Sequence, residues 1–287
     1  MGELLRHAFR VSRPVSWINT AYPFAAALLL STRDITWELV LGTVFFLIPY
    51  NLAMYGINDV FDYASDIKNP RKGGIEGAVL EPRWHRPLLW LIAATTIPPA
   101  AILMIAGGWQ ASLWMTVSLF AVVAYSAAGL RFKERPVLDS ITSSTHFVSP
   151  AVVGFAMAGA PWTATIWLIL AAFFLWGMAA HAFGAVQDVV PDREGGISSI
   201  ATILGARATV RFSIGLWAAS GLIMALVTWP GPLAAIVAAP YIANALPWWN
   251  VTDETSAQTN PAWRRFIWLN YGSGFAVTLL LIWVWNG

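Results

Sequence analysis

The sequence contains no cysteine and few charged residues. Without cysteine the chain forms no disulfide bonds, and it offers neither thiolate metal ligands nor a cysteine nucleophile. Charged residues make up 11% of the chain and hydrophobic residues 57%, whereas a soluble domain is typically about a quarter charged. This composition excludes an ordinary soluble protein and predicts a chain that crosses a membrane several times.

Apolar runs separated by polar residues predict an all-α membrane bundle of nine transmembrane helices. The predicted spans cover residues 15–31, 37–57, 88–107, 111–130, 140–158, 164–187, 208–228, 232–249 and 265–285. We interpret residues 1–287 as a single transmembrane domain. Residues 1–14 are basic but lack the small-residue exit of a cleavable signal, so we interpret them as a cytoplasmic or interfacial leader.

The distribution of basic residues predicts the orientation of these spans. With the N-terminus inside, Arg33 is the one cation among the 17 Lys and Arg residues that falls on the outer side. Positive residues concentrate in cytoplasmic loops. The N-terminus is therefore predicted to be cytoplasmic, in a multi-pass protein of the cell membrane.

The segment NDVFDYASDIKNPRKGG places many charges at the end of the second predicted span. On a helix Asp59, Asp62 and Asp66 share one face. Asn58 lies beside them, and Asn51 and Tyr55 continue the polar stripe into the span. Clustered carboxylates near a membrane require a cation, and hard oxygen ligands suit Mg²⁺. The basic run that follows indicates a Mg²⁺–diphosphate site, although a solvated helix end is the simpler alternative.

A second acidic cluster ends the sixth predicted span in the sequence HAFGAVQDVVPDREGG. Asp188 and Asp192 are four residues apart, and Arg193 adds a cation. Pro191 is expected to kink or end the helix there. The topology places this cluster on the cytoplasmic side too, so the two clusters could bind one metal–diphosphate between them. A DxxxD pattern alone is weak evidence.

A third polar segment, YSAAGLRFKERPVLD, follows the fourth predicted span. It holds Tyr125 and the cations Arg131, Lys133 and Arg135 on the side that carries both acidic clusters. Simple positive-inside anchoring is an equally good interpretation of these cations. We interpret His146 and His181 as packed interior histidines.

These motifs resemble those of the UbiA superfamily of intramembrane prenyltransferases. NDVFDYASD is similar to its NDxxDxxxD signature and DVVPD to its second DxxxD motif. YSAAGLRFKERPVLD and GGISSIATILG resemble the segments after the fourth helix and after the second motif. Within the superfamily, NPRKGGIEGAV, FLIPYNLAMYGINDVFDY and SSTHFVSPA make the chain look most like lycopene elongases.

The resemblance implies roles for individual residues. Mg²⁺ would be held by Asn58, Asp59, Asp62, Asp66, Asp188 and Asp192, and the catalytic set would be Asp59, Asp62, Asp188, Asp192 and Tyr125. Contacts to the diphosphate or substrate would come from Asn51, Tyr55, Asn58, Arg71, Lys72, Arg131, Lys133 and Arg193. The loop that carries Arg71 and Lys72 departs from the RP-type loop of many members.

The implied reaction is transfer of a C5 unit from an allylic diphosphate to lycopene taken from the bilayer. The enzyme would then interact with lipid and with other enzymes of the carotenoid pathway. No nucleic-acid partner is expected. An aromatic or quinone-precursor acceptor is the alternative, with Arg10 or Arg13 available to bind its carboxylate. An ion-coupled transporter is a remote alternative, because transporters hold their charged sites near the bilayer midplane.

Overall fold

A computed structural model describes residues 2–63, 67 and 79–286 of the chain. These residues form helices joined by turns and short loops, and they contain no β-strand. The chain divides into two compact units, residues 1–132 with 146–160 and residues 133–145 with 161–287. Each unit is described in turn.

The first unit is built from six helices, of which the last contributes only its C-terminal half. Their bounds are α1 Gly2–Val11, α2 Ile18–Thr32, α3 Trp37–Leu47, α4 Pro49–Phe61, α5 Pro82–Ser126 and α6 Leu138–Met157, with a 3₁₀ turn at Pro14–Ser16 between α1 and α2. The first five predicted spans all overlap these helices. The prediction of helix over these segments is therefore confirmed.

The second predicted span is two helices rather than one. It is interrupted at Ile48, and α4 then begins with Pro49 as its first residue, a position where the missing N–H of proline costs nothing. The break leaves carbonyl groups of α3 without helical partners. The buried side-chain amide of Asn51 donates to Phe46 O at 2.9 Å and to Leu47 O at 3.1 Å, and so supplies hydrogen-bond donors to these carbonyl groups.

The third and fourth predicted spans are the two arms of α5. They meet at Gly108, whose φ of 72° and ψ of −166° lie outside the helical region. A residue with a side chain would be strained in this conformation, whereas glycine adopts it readily. The turn therefore joins two apolar arms at the predicted position.

The core of the first unit contains several fully buried aromatic side chains. Phe24 packs against Phe46 with ring centroids 5.0 Å apart, and Phe46 packs against Tyr50 at 5.1 Å. Close approach of the helices depends on glycine here. A Cβ on Gly154 of α6 would lie 2.6 Å from the carbonyl oxygen of Phe24.

The second unit contains the N-terminal half of α6 and seven further helices. Their bounds are α7 Ala164–Ala185, α8 Val189–Glu194, α9 Ile200–Leu204, α10 Ala206–Ala225, α11 Gly231–Ala234, α12 Ala238–Ala245 and α13 Asn260–Asn286, with 3₁₀ turns at Val186–Asp188, Ala235–Val237, Leu246–Trp248 and Ser256–Thr259. The predicted span 232–249 is thus a series of short helical pieces. Its prolines interrupt the backbone hydrogen bonds that a continuous helix requires.

An aromatic cluster fills the core of the second unit. The ring of Tyr241 lies 5.7 Å from Trp217, 5.6 Å from Trp176 and 5.3 Å from Phe266. Trp217 and Tyr241 are almost fully buried. These contacts hold α7, α10, α12 and α13 together.

Five helical stretches in the described part of the chain are long and apolar enough to cross a membrane: Trp37–Phe61, Pro82–Ser126, Ala164–Glu194, Ala206–Ala225 and Ser256–Asn286. The second of these has 45 residues and contains the turn at Gly108. The chain is therefore an all-α protein with the helices of an integral membrane protein. The total of nine spans and the cytoplasmic N-terminus stay predictions.

Candidate functional site

The first acidic cluster lies at the C-terminal end of α4. Asp62 caps the helix, and its N–H donates to Asn58 O at 2.9 Å. Asp59 lies one turn before this cap, so the two carboxylates share a helix face as their spacing predicts. Asp66, Arg71 and Lys72, which complete the predicted cluster, lie outside the described residues.

Asp59 is buried and forms an ion pair with a residue from the N-terminal segment. Arg13 Nη2 donates to Asp59 Oδ1 at 3.0 Å, and the side chain of Asp59 has no exposed surface. The same guanidinium lies over the ring of Tyr55, 4.2 Å from its centroid. Arg13 adopts a left-handed backbone conformation with φ of 50°. This turn brings a cation to a carboxylate that could not be buried alone.

Asp62 is paired with a second arginine from a distant part of the sequence. Arg131 Nη2 lies 3.5 Å from Asp62 Oδ1, and both side chains are at least two-thirds buried. Arg131 follows α5 and has a left-handed φ of 41°. Lys133 is part-buried two residues later in a short 3₁₀ helix. The structure thus brings Arg131 to the acidic cluster, and its contact with the diphosphate stays a prediction.

Asn58 is oriented by the last residue of α5. Ser126 Oγ donates to Asn58 Oδ1 at 2.9 Å. The neighbouring Tyr125 meets the buried His146 edge to face, with ring centroids 5.4 Å apart. Ser126 was not among the predicted site residues, because a serine at a helix end carries no distinctive signal in the sequence.

Asn51 and Tyr55 differ in their relation to this cluster. Tyr55 contacts Arg13 and therefore belongs to the surroundings of Asp59. The amide of Asn51 is engaged with backbone carbonyls and with Thr20 Oγ1 at 2.7 Å. We therefore assign the amide nitrogen of Asn51 a structural role at the break between α3 and α4, and the contact of Asn51 with substrate stays a prediction.

The oxygen atoms of this cluster fit a divalent cation such as Mg²⁺. Asn58, Asp59 and Asp62 offer an amide oxygen and two carboxylates, the hard ligands that this ion prefers. No group of three or more His, Cys, Asp or Glu side chains forms a complete metal site within residues 2–63, 67 and 79–286. Mg²⁺ usually binds to one or two carboxylates together with water and phosphate oxygens. The donor set therefore suits a metal that arrives with a phosphorylated substrate.

The second acidic cluster follows α7 in the second unit. The helix tightens to a 3₁₀ turn at Val186–Asp188, and α8 then begins at Val189. The break precedes Pro191 by one turn, because a continuous helix would need a proline N–H to bond Gln187 O. Asp188 ends this turn, and Asp192 lies in α8; both are half-buried.

Arg193 connects α8 to the segments that follow it. Its Nε and Nη2 donate to Thr202 O at 3.0 and 2.7 Å, and its Nη1 pairs with Asp253. Asp253 also accepts a hydrogen bond from Ala206 N at 2.7 Å. This backbone hydrogen bond, assisted by Arg193, holds the pKa of Asp253 below its ordinary value. Arg193 therefore has a structural contact network, and its diphosphate role stays a prediction.

A buried carboxylate that sequence reasoning overlooked lies at the start of α6. Asp139 is fully buried and accepts hydrogen bonds from Ser140 N and Ile200 N, both at 2.7 Å. His181 Nε2 on α7 lies 3.8 Å from Asp139 Oδ2. Asp139 thus connects α6 to the N-terminus of α9. The sequence feature that could have identified Asp139 is its position as an acidic residue in the first turn of an otherwise apolar helix.

The fold and the site define an all-α integral membrane protein whose buried carboxylates are paired with arginines at a helix end. The model of the UbiA prenyltransferase family matches residues 20–270. The chain therefore belongs to this family, and it is a prenyltransferase. The resemblance noted in the motifs is confirmed.

Two curated relatives and one solved structure are similar to the chain over most of its length. A lycopene elongase/hydratase of Corynebacterium glutamicum is 53% identical over 98% of both chains. The C(50) beta-cyclic carotenoids biosynthesis protein LbtBC of Dietzia sp. is 52% identical over 99% of this chain and 66% of that protein. A UbiA homolog from Archaeoglobus fulgidus, bound to DMAPP and Mg²⁺, has a TM-score of 0.67 at 20% identity and covers 93% of this chain and 98% of its own. This last likeness concerns the fold.

Proposed function

We propose that this prenyltransferase transfers the C5 group of dimethylallyl diphosphate to the end of a lycopene-type carotenoid, extending C40 toward C45 and C50. The observation that carries the proposal is the 53% identity to a lycopene elongase/hydratase over 98% of both chains. The buried carboxylates and arginines at the end of α4 suit the diphosphate of such a donor.

The proposed metal ligands are Asn58, Asp59, Asp62 and Asp66 of the first motif, with Asp188 and Asp192 of the second. Bound Mg²⁺ would supply neutralisation of the diphosphate charge and make it a better leaving group. Contribution of both motifs to one site is inferred from the sequence. DMAPP and Mg²⁺ bound to the archaeal homolog support the donor and the metal.

The arginines of the site would bind the negative charge that develops on the leaving group. The Arg131 guanidinium lies 3.5 Å from Asp62, and the planar fork of a guanidinium matches the geometry of phosphate oxygens. Lys133 and Tyr125 lie nearby in the sequence and would add a cation and a hydroxyl donor. Arg71, Lys72 and Arg193 stay in the proposed set on the basis of their motifs.

In the reaction the allylic C–O bond breaks, and its electron pair leaves with the diphosphate. The π electrons of the acceptor's terminal double bond then form the new C–C bond, and the resulting tertiary cation loses a proton. Aromatic faces stabilise such cations. Arg13 already covers one face of Tyr55, so at that face the ring would stabilise the arginine rather than the allylic cation.

The contacts that Arg13 makes favour a hydrocarbon acceptor over an aromatic acid. A carboxylated aromatic acceptor would need a cation, and Arg13 was one of the two candidates for this role. Its guanidinium is engaged by Asp59 and Tyr55. A carotenoid needs no such cation. We further infer, from the distribution of basic residues, that the active site faces the cytoplasm.

Expression in cells that accumulate lycopene, followed by mass analysis of the pigments, tests this proposal. The parent chain should convert lycopene to products with one or two added C5 units. Asp62→Asn and Asp188→Asn should abolish the conversion at an unchanged amount of membrane protein, whereas Asp34→Asn, in an exposed loop, should not. Unmodified lycopene in the presence of dimethylallyl diphosphate would overturn the acceptor. Undiminished conversion by either site variant would overturn the site.

A further inference from the structure

Helix α1 has three different faces around its axis. Ala8 and Val11 are buried in the core of the first unit, where Leu4 packs beside them. His7 extends this face by packing against Trp84 of α5, with ring centroids 5.1 Å apart. The helix is thus fixed to the protein along one side.

The remaining surface of α1 divides into an apolar face and a basic face. Leu5 and Phe9 are 54% and 58% exposed, and their spacing of four residues places them next to each other. Arg6 and Arg10 have the same spacing and are exposed on the adjoining face, which also carries the exposed Glu3 and is net basic. Two large apolar side chains beside two arginines are typical of a helix that lies in a membrane interface.

The apolar face continues beyond α1 toward the first predicted span. Val15 and Ile18 are also exposed, and Ile18 is the first residue of α2. Trp17 between them donates from Nε1 to Ser12 O at 3.0 Å, which ties the connection to the end of α1. An apolar surface that leads into a predicted membrane span is expected to meet lipid rather than water.

We propose that α1 docks on the surface of a membrane containing anionic phospholipid, with Leu5 and Phe9 among the acyl chains and Arg6 and Arg10 at the lipid phosphates. The adjacent predicted span, α2, would set the apolar face at the level of the bilayer, and the basic face complements an anionic surface. Docking does not depend on the acceptor or on the donor of the reaction.

Docking of α1 also bears on the acidic cluster, because two contacts connect them. Val11 packs against Gly56 of α4, where a Cβ would lie 3.3 Å from Val11 Cγ1. Two residues later Arg13 pairs with Asp59 at 3.0 Å. A lipid surface that holds α1 in place therefore also holds the Arg13 guanidinium at the site.

The absence of cysteine makes a spin-label test direct. Phe9→Cys and Glu3→Cys each give the full chain one nitroxide site, the first on the apolar face and the second on the polar side. Both are reconstituted in nanodiscs of phosphatidylcholine, with or without phosphatidylglycerol. In discs with phosphatidylglycerol, oxygen should relax the nitroxide at position 9 more than a water-soluble nickel chelate does, and position 3 should show the reverse.

The contribution of the basic face is measured in the Phe9→Cys background. Phosphatidylglycerol should raise the ratio of immobilised to mobile label, by about fivefold for each arginine. Replacement of both Arg6 and Arg10 by Gln should abolish this effect of phosphatidylglycerol. The ratio of immobilised to mobile label in phosphatidylcholine alone should not change.

Three results would overturn the proposal. Equal access of the nickel chelate to positions 3 and 9 would show that the apolar face meets water. An equal label ratio in both lipid mixtures would exclude recognition of anionic lipid. Dipolar broadening between labels at position 9 would show that a second copy of the chain, rather than lipid, covers this face.

Discussion

Replacement of Arg13 by Gln should destabilise the protein by removing the cation that compensates Asp59. Arg13 Nη2 lies 3.0 Å from Asp59 Oδ1, and the two side chains are 18% and 0% exposed. The variant leaves a carboxylate buried without this partner. It also removes the guanidinium from its position 4.2 Å from the Tyr55 ring centroid.

The expected loss follows from the burial of the pair. Removal of one partner from a buried ion pair typically costs about 3–5 kcal/mol. Arg13 retains some contact with solvent, and Asp59 has further interactions. We therefore expect a loss in unfolding free energy near the lower limit, about 3 kcal/mol. Loss of the contact with Tyr55 is expected to add about 0.5–1 kcal/mol.

Unfolding by sodium dodecyl sulfate in mixed micelles, followed by tryptophan fluorescence, measures this loss. Arg10→Gln is the matched control, since Arg10 is exposed and should change the stability by less than about 0.5 kcal/mol. The double variant Arg13→Gln/Asp59→Asn should recover most of the loss, because it removes the buried charge as well. If Asp59 binds Mg²⁺, the ion should stabilise Arg13→Gln more than the parent.

Two results would refute this reasoning. A change for Arg13→Gln as small as that for Arg10→Gln would mean that the buried carboxylate does not depend on the arginine. Strictly additive losses in the double variant would mean that Arg13 and Asp59 contribute independently. In either case the ion pair would have no energetic importance.

Three further predictions concern the packing and the charges of the two units. Gly154→Ala should lower the unfolding free energy by about 1–3 kcal/mol, because its Cβ would lie 2.6 Å from a backbone carbonyl of α2. Gly215→Ala, which has open space around its Cβ, should be neutral or up to about 1 kcal/mol stabilising. Since the pKa of Asp253 is lowered from 3.8, its stabilising contribution should be complete above pH 3.8 and disappear as the pH falls through the folded-state pKa. Asp139→Ala should cost about 1–3 kcal/mol, because Ile200 N–H loses its acceptor.

The same unfolding titration measures all three, with the pH series repeated on Asp253→Asn. Equal stability of the two glycine variants would contradict the close approach of α6 to α2. An acid-induced loss of the same size in Asp253→Asn and in the parent would assign that loss to other carboxyl groups. An Asp139→Ala variant as stable as the parent would show that its hydrogen bonds are replaced.

Much of the helical architecture was predictable, because apolar runs and helical spacing are local properties of the chain. The break between α3 and α4 was not predicted, although Pro49 marks it. The apolar run 232–249 predicts one helix, whereas the structure has a series of short helical pieces there. In both segments the apolar composition obscured the loss of backbone hydrogen bonds that proline imposes.

The candidate site was predicted in part. Asp59 and Asp62 share a face, as the spacing requires, and Arg131 lies at the cluster. The amide nitrogen of Asn51 donates to a backbone carbonyl of α3, a contact that its place in the polar stripe does not predict. The sequence indicates Arg13 only as a cation for an aromatic acid, whereas in the structure it is the ion-pair partner of Asp59.

The sequence determined the spacing of the carboxylates, the apolar helices and the family, since all of these depend on residues close together along the chain. The tertiary structure decided which side chains meet at the acidic cluster. Arg13 and Asp59 are 46 residues apart, and Ser126 and Asn58 are 68 residues apart. Such contacts arise only when the packing of apolar helix faces brings distant segments together and leaves buried charges that must be paired.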